Sequence, residues 1–391
     1  MKIASIKERL SRLIYDLFFT SLTILMSRKL VLYFRKNFFP TMFTLDLHTS
    51  VVRDIKESLE KNQIIVERYS ISAASHLFNE PNLRLPYISG KSWRSIGVDK
   101  IRNFQRFFSA ILNNAHCFLV TYTFSFVLIF ENLGKPILAV NATRYESPFT
   151  LNENSFKKLN DKLQDLSKSG LLTVISNNAG DRDYLNWFTG IDSKHIPSLC
   201  SYSAKHAPSI ETWLVLSRNL DLGRQISQKT LNARTVEEVF PSGYSHEDFA
   251  KFAGVILVPY NISTMRLFEL STSGMPVRIP SDRLLKEWSS LPGVLSELSW
   301  VQVLGSECPN WLKDTPADPE WPEFLDWWLD RADWKFKEFF PNVSTFDSLQ
   351  ELNVAPPLFT LEAVDQRNEN IRSLTDNAVR DFKKLLVSEM L

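Results

Sequence analysis

The chain lacks the residue patterns that announce protein-held metal or dithiol chemistry. Its three cysteines, Cys117, Cys200 and Cys308, form no Cys-x-x-Cys pair, which argues against a zinc ribbon and a redox dithiol. A sparse, odd count fits a reducing compartment better than a disulfide-stapled secreted domain. The six histidines contain no His-Glu-x-x-His or His-x-His, so a catalytic zinc has no support. Glycine is scarce, at 12 residues, and neither half of the chain holds Gly-x-Gly-x-x-Gly. A dinucleotide-dependent oxidoreductase is therefore the least favoured enzyme class. Fixed-period repeats and low-complexity tracts are missing too. Lys and Arg total 45 against 44 acidic residues, for a net charge of +1, without the basic excess of a general nucleic-acid binder.

What is present is ordinary globular composition: 391 residues, 44% hydrophobic and 23% charged. That length exceeds what one core usually organises, so two domains are expected. Aromatics reach 12%, with 28 Phe and 10 Trp, which suits a thick core and stacking on planar or sugar-like ligands.

The amino terminus is distinct. Residues 1–38 carry eight basic residues against Glu8 and Asp16, a local charge of +6. The apolar run between the basic clusters, residues 13–26, is interrupted by Asp16 and falls short of the roughly 20 apolar residues a spanning helix needs. Met26-Ser-Arg-Lys is a poor signal-cleavage context. Two readings stand: a basic aromatic helix lying on an anionic membrane surface, or a helix packed on the body of the protein.

Beyond it, short apolar runs alternate with amphipathic stretches. Strands are expected at residues 39–47, 63–70, 117–122, 135–140 and 171–176. Helices are expected through Lys61 with Thr49 or Ser50 as N-cap, over Phe124–Leu133 closed by Gly134, and over Asn154–Ser169. A second series begins near residue 205, with strands at 213–217, 255–258 and 276–279 and a helix over Ser263–Ser273. Such alternation indicates open, mostly parallel sheets wrapped on both faces. The expected organisation is a basic segment at 1–38 and Rossmann-like domains at 39–204 and 205–308. A Trp- and Pro-rich helical tail at 309–391 packs back on them without a fold of its own. Ligands in open α/β sheets sit beyond the carboxyl ends of strands, so two facing sheets place a site in the cleft between them.

The most informative window runs from Val258 to Asp282. A buried strand ends at Pro259, and a polar loop from Tyr260 leads into a helix whose first turn carries Ser263, Thr264 and Arg266. A helix N-terminus suits a phosphate, the two hydroxyls add donors, and Arg266 offers a bidentate fork. Glu269 lies one turn on, on the same face, where a carboxylate can accept hydrogen bonds from ribose hydroxyls. Gly274 ends the helix before Pro276-Val277.

This stretch resembles the two-Rossmann-domain (GT-B) glycosyltransferases. Its Ser-x-Arg-Leu-Phe-acid core followed by Gly-x-Pro-Val looks most like the exostosin-like branch. The resemblance covers about 25 residues. It implies a nucleotide-diphosphate sugar as donor, with Arg266 on the diphosphate and Glu269 on the ribose. Ser217 and Arg218, at the end of the first strand of the second half, then belong to the phosphate side of the cleft.

Transfer with inversion needs a base from the acceptor half. Two places offer one. Asp46 and His48 turn to the same side at the end of the first strand, with His48 as base and Asp46 orienting it. Alternatively Glu146 serves, on the loop that also carries Arg144. In the turn at 175–183, Asp181 reads as an N-cap, with Asn177 or Asn178 reaching the cleft as the sharper alternative. Trp327, Asp330 and Trp334 read as a packed amphipathic helix rather than a sugar platform. No Asp-x-Asp follows a strand, so a protein-held divalent metal is not expected, and no covalently bound cofactor is either. Sequons at Asn141 and Asn261 fall in the expected cleft and favour a compartment without N-glycosylation, with the protein cytoplasmic or peripheral on a membrane. The sequence thus points to a glycosyltransferase with a glycan acceptor and no nucleic-acid partner. The rival is a non-catalytic two-Rossmann scaffold or glycan-binding protein recruited through its basic amino terminus.

Overall fold

The computed structural model describes residues 39–72, 88–149, 152–296, 309–316, 322–357 and 359–390. The basic segment 1–38 and Cys308 lie outside them. Eleven strands are described, in two wholly parallel sheets.

The first sheet holds β1 (Thr41–Asp46), β2 (Ile65–Ser70), β3 (Cys117–Val120), β4 (Ile137–Asn141), β5 (Leu172–Ser176) and β6 (Lys194–His195), in the order β2-β1-β3-β4-β5-β6. Strands β1, β3 and β4 are buried throughout, as expected of parallel strands covered by helices on both faces. The second sheet holds β7 (Ile210–Leu216), β8 (Ala233–Thr235), β9 (Phe252–Leu257), β10 (Val277–Pro280) and β11 (Val343–Phe346), in the order β11-β10-β9-β7-β8. Two Rossmann-like α/β halves with a C-terminal helix are thus the architecture expected of this chain.

The helices that matter for the site are α1 (Thr49–Lys61), α2 (Glu153–Lys168), α3 (Ala179–Thr189), α4 (Leu220–Lys229), α5 (Met265–Ser273), α6 (Pro322–Leu329) and α7 (Leu361–Met390). Their caps depart from expectation at three points. His48, not Thr49 or Ser50, is the N-cap residue of α1, without a side-chain cap bond. Asn178, not Asp181, caps α3, accepting from the Asp181 N–H at 2.7 Å. The expected helix from Ser263 starts at Met265, because Thr264 takes the cap and accepts from the Leu267 N–H. The run 124–133 forms three short helical pieces instead of one helix. Gly274 ends α5 at φ +76°, a left-handed conformation that glycine adopts without strain.

The tail does more than pack. Helix α7 lays Ala378, Val379, Phe382 and Leu386 against Val51, Val52, Ile55 and Leu59 of α1. Strand β11, however, comes from the tail and pairs in parallel with β10, Val277 opposite Val343. The second sheet therefore extends past residue 308: β10 offers a free edge, and the four-residue run Val343–Phe346 fills it. Trp328 and Trp334 are buried and Trp327 is half-buried, but α6 ends at Leu329, so Trp327, Asp330 and Trp334 do not share the one amphipathic helix expected.

The halves meet tightly at Gly180, in the first turn of α3. A Cβ added there would lie 2.2 Å from Ile262 Cδ1 and 3.2 Å from the Trp328 ring. Only a residue without a side chain admits this approach of α3 to the loop after β9. Nearby, the Asp333 N–H donates to the Ile262 carbonyl at 3.1 Å, and Arg331 Nε reaches Asp183 at 2.8 Å.

Candidate functional site

Each sheet reverses its strand order once. In the first sheet the reversal lies between β1 and β3, and in the second between β7 and β9. Such switch points leave a crevice at the carboxyl ends of the strands, because the connections on either side run to opposite faces. Here both crevices open into one cavity of about 220 Å³. His48, Tyr122, Thr143 and Asn177 line it from the first half, and Arg218, Tyr260, Asn261, Ser263 and Thr264 from the second. Met265 and Phe268 of α5, Val51 of α1 and Ala142 complete it. This volume lies below the roughly 300–1,000 Å³ usual for a whole ligand, so it holds a part of one.

The lining follows a simple rule. His48, Tyr122, Thr143 and Arg218 each stand two residues past the end of their strand, β1, β3, β4 and β7 respectively. That is where a chain leaving a parallel sheet still points outward along the strand axis.

Chemically the cavity is polar and carries no carboxylate among its described lining residues. Arg218 lies flat on Tyr260, its guanidinium carbon 3.2 Å from the ring centroid. Thr264 Oγ1 accepts from the backbone at the head of α5, which leaves its O–H to donate outward. His48 is the one imidazole. Burial lowers its pKa, opposed by the charges of Asp46 and Glu269, so the ring is neutral at pH 7. Its Nδ1 is buried with no hydrogen-bond partner, and its ring lies 5.7 Å from that of Tyr122.

Six sequence candidates thus come together: His48, Asn177, Arg218, Tyr260, Ser263 and Thr264. The others do not. Asp46 is fully buried and occupied by Arg68 Nε at 2.8 Å and Ser70 Oγ at 3.0 Å, so it does not hold the His48 ring. Both partners come from β2, whose Ser70 stands opposite Asp46 in register. Glu146 is also fully buried, bonded by Tyr184 Oη at 3.1 Å. Burial pushes its carboxyl up to about 8 against the pull of its own backbone N–H and Arg144. It sits in the core, not on the cavity. Ser217 Oγ is tied into its own turn, donating to the Asn219 carbonyl at 2.9 Å and accepting from its N–H at 3.1 Å.

Arg266 and Glu269 are ion-paired at 2.8 Å and neither lines the cavity. Arg266 also donates to Tyr244 Oη at 2.8 Å, and Glu269 accepts from Tyr202 Oη at 3.0 Å. They brace α5 against its neighbours. Asn177 reaches the cavity, as the sharper reading of its turn had it. The sequon residues Asn141 and Asn261 are both buried, and Asn141 Nδ2 donates to the Asp181 carbonyl at 2.9 Å, so neither is open to a glycan in the folded chain.

Tyr122 and Thr143 escaped sequence reasoning, because the expected strands 117–122 and 135–140 end elsewhere than β3 at Val120 and β4 at Asn141. Among the described residues there is no group of three or more His, Cys, Asp or Glu placed to hold a metal ion. No described helix is long and apolar enough to cross a membrane.

No protein-family description matches this chain, and no curated protein matches its sequence. Solved structures do show likeness. One is UDP-GlcNAc 2-epimerase from Neisseria meningitidis bound to UDP-GlcNAc, at 14% identity and a TM-score of 0.34, covering 62% of this chain and 82% of that one. Another is the glycosyltransferase SsfS6 from Streptomyces sp. SF2575, at 12% identity and a TM-score of 0.28, covering 75% and 95%. At these scores neither carries an argument about the site.

Proposed function

We propose that this protein is a glycosyltransferase. It takes a sugar from a nucleotide-diphosphate sugar bound to the second half and passes it, with inversion, to an acceptor hydroxyl on the first. One observation carries the reading: both switch-point crevices open into a single cavity, with a neutral imidazole on one wall and an arginine beside a helix head on the other. The resemblance of residues 263–277 to the exostosin-like branch of GT-B enzymes supports it.

In this scheme the His48 imidazole takes the acceptor proton as the hydroxyl oxygen bonds to the anomeric carbon. The bond from that carbon to the diphosphate oxygen breaks, and its electron pair leaves with the nucleoside diphosphate. Arg218, the Ser263 and Thr264 hydroxyls and the head of α5 meet the charge that develops there. Tyr260 holds the Arg218 guanidinium flat, so it is presented in one orientation. Arg266 and Glu269, given to the donor by resemblance, act here through α5, whose position their pairing fixes.

That pairing outside the cavity is also what favours the rival, a non-catalytic two-Rossmann scaffold. Thermal-shift titration with UDP, GDP, CMP and NAD separates the two. A ligand at 100 times its Kd stabilises the fold by about 2.7 kcal/mol. The transferase reading expects one nucleoside diphosphate to raise the midpoint of the wild type and Arg218→Ala to lose that shift. A well-folded wild type that no nucleotide shifts would leave the scaffold.

A further inference from the structure

A second cavity, of about 210 Å³, lies in the other groove beside β7, between its carboxyl end and that of β8. Ser217, Leu220, Gly223, Thr235, Glu237 and Glu238 are among its walls. It shares the turn after β7 with the main cavity: Ser217 faces one and Arg218 the other.

Three features match what a nucleoside needs. The wall at Gly223 is bare backbone beside small side chains, a Cβ there coming to 3.4 Å from Ser217 Cβ and 3.9 Å from Thr235 Cγ2. A carboxylate stands at the end of the second strand of the unit, Glu237, 20 residues after Ser217. In a strand-helix-strand nucleotide-binding unit an acid about 20 residues past the first turn hydrogen-bonds the ribose. And the two acids divide their work. Glu238 Oε2 accepts from the Thr235 N–H at 3.0 Å in a capping box. Glu237 is exposed at the cavity wall.

The turn itself offers a phosphate few side-chain donors. Asn219 Oδ1 already accepts from the Leu222 N–H at 2.8 Å, and the Ser217 hydroxyl is closed on Asn219. Asn219 thus takes up the Leu222 and Gly223 N–H groups at the head of α4. One cation does line this cavity, Arg224, and it is paired with Asp221 at 3.4 Å; the charge on the main-cavity side of the turn is Arg218.

We propose that this cavity binds the nucleoside portion of the nucleotide, with Glu237 accepting hydrogen bonds from the ribose hydroxyls while the diphosphate crosses the turn to Arg218. The proposal rests on the donor reading above, and it moves the ribose contact from Glu269 to Glu237.

Calorimetric titration of the full chain tests it. The probes are UDP and GDP, their 2′-deoxy counterparts, and inorganic pyrophosphate, on wild type, Glu237→Gln and Arg218→Ala. The expected result is that Glu237→Gln weakens the ribonucleoside diphosphate about tenfold, abolishes the preference for ribo over deoxy, and leaves pyrophosphate unchanged. Arg218→Ala weakens all of them. If Glu237→Gln keeps the full affinity and the ribo preference while Arg218→Ala removes binding, the nucleoside lies elsewhere and the donor reading survives alone. If no nucleoside diphosphate binds the wild type, both fall together.

Discussion

Arg218, two residues past the end of β7, lies on the ring of Tyr260, three residues past the end of β9, with 3.2 Å from guanidinium carbon to ring centroid. The two strands are neighbours on either side of the second sheet's switch point. The stack therefore ties the two strand ends together where a ligand would enter.

Arg218→Lys keeps the charge but loses the planar fork and its stacking. We expect it to cost nucleotide affinity nearly as much as Arg218→Ala. Tyr260→Ala should cost less, on the order of 0.5–2 kcal/mol, the range of a cation–π contact. Calorimetry with the nucleoside diphosphate that binds wild type checks the order. A Lys variant with wild-type affinity would mean that only charge matters there.

His48→Gln should lower turnover by about 10²–10⁴-fold, the range of general-base catalysis, and leave nucleotide binding unchanged. Burial holds the His48 pKa below its ordinary 6.5. The acidic limb of the wild-type rate profile should therefore fall below pH 6.5 and vanish in the variant. Single-turnover rates against pH provide the check.

Glu146 carries a pH effect on stability. Its folded pKa, about 8, lies above the ordinary carboxyl value of 4.5. The folded state keeps the proton where the unfolded state has lost it, so stability falls as pH rises from about 4.5 to about 8. Glu146→Gln keeps the shape and removes the titration. The drop in melting temperature between pH 6 and pH 9 should be smaller in the variant. Equal drops would place the effect on other groups.

Gly180→Ala should destabilise the join between the halves by about 1–3 kcal/mol, the usual cost of overpacking, because the new methyl meets Ile262 Cδ1. Ile262→Val removes that atom. The double variant should be more stable than the sum of the singles, since the sites are in contact. Additive effects in a denaturant melt would show that the contact yields freely.

How much of this was legible in the sequence differs from element to element. The alternation of apolar runs with amphipathic stretches identified β1 to β5 and the core strands of the second half, because a strand buried on both faces must be apolar throughout. The polar loop after β9 was legible for the same reason: a chain leaving a buried strand must turn polar at the sheet's edge. Strand β11 was not. Its four residues, Val-Ser-Thr-Phe, are too short a run to be told from a loop, and the tertiary fold brings them to the edge of β10.

The sequence by itself determined that polar residues gather at and beyond the strand ends: Asp46, His48, Glu146, Arg218, Ser263, Thr264, Arg266 and Glu269. Only the tertiary structure decided which of them face the cavity. Asp46 and His48 differ by two residues, yet one is taken by Arg68 and Ser70 of the adjacent strand and the other lines the cavity. Glu269 is drawn to Arg266 and Tyr202, and Glu146 is carried under Tyr184 of α3. Alternation along a chain tells which way a side chain leaves the backbone. A buried carboxylate's partner comes from wherever the fold brings a donor, as close as one helical turn for Arg266 and as far as 67 residues for Tyr202, and that partner settles whether the group stays available to a ligand.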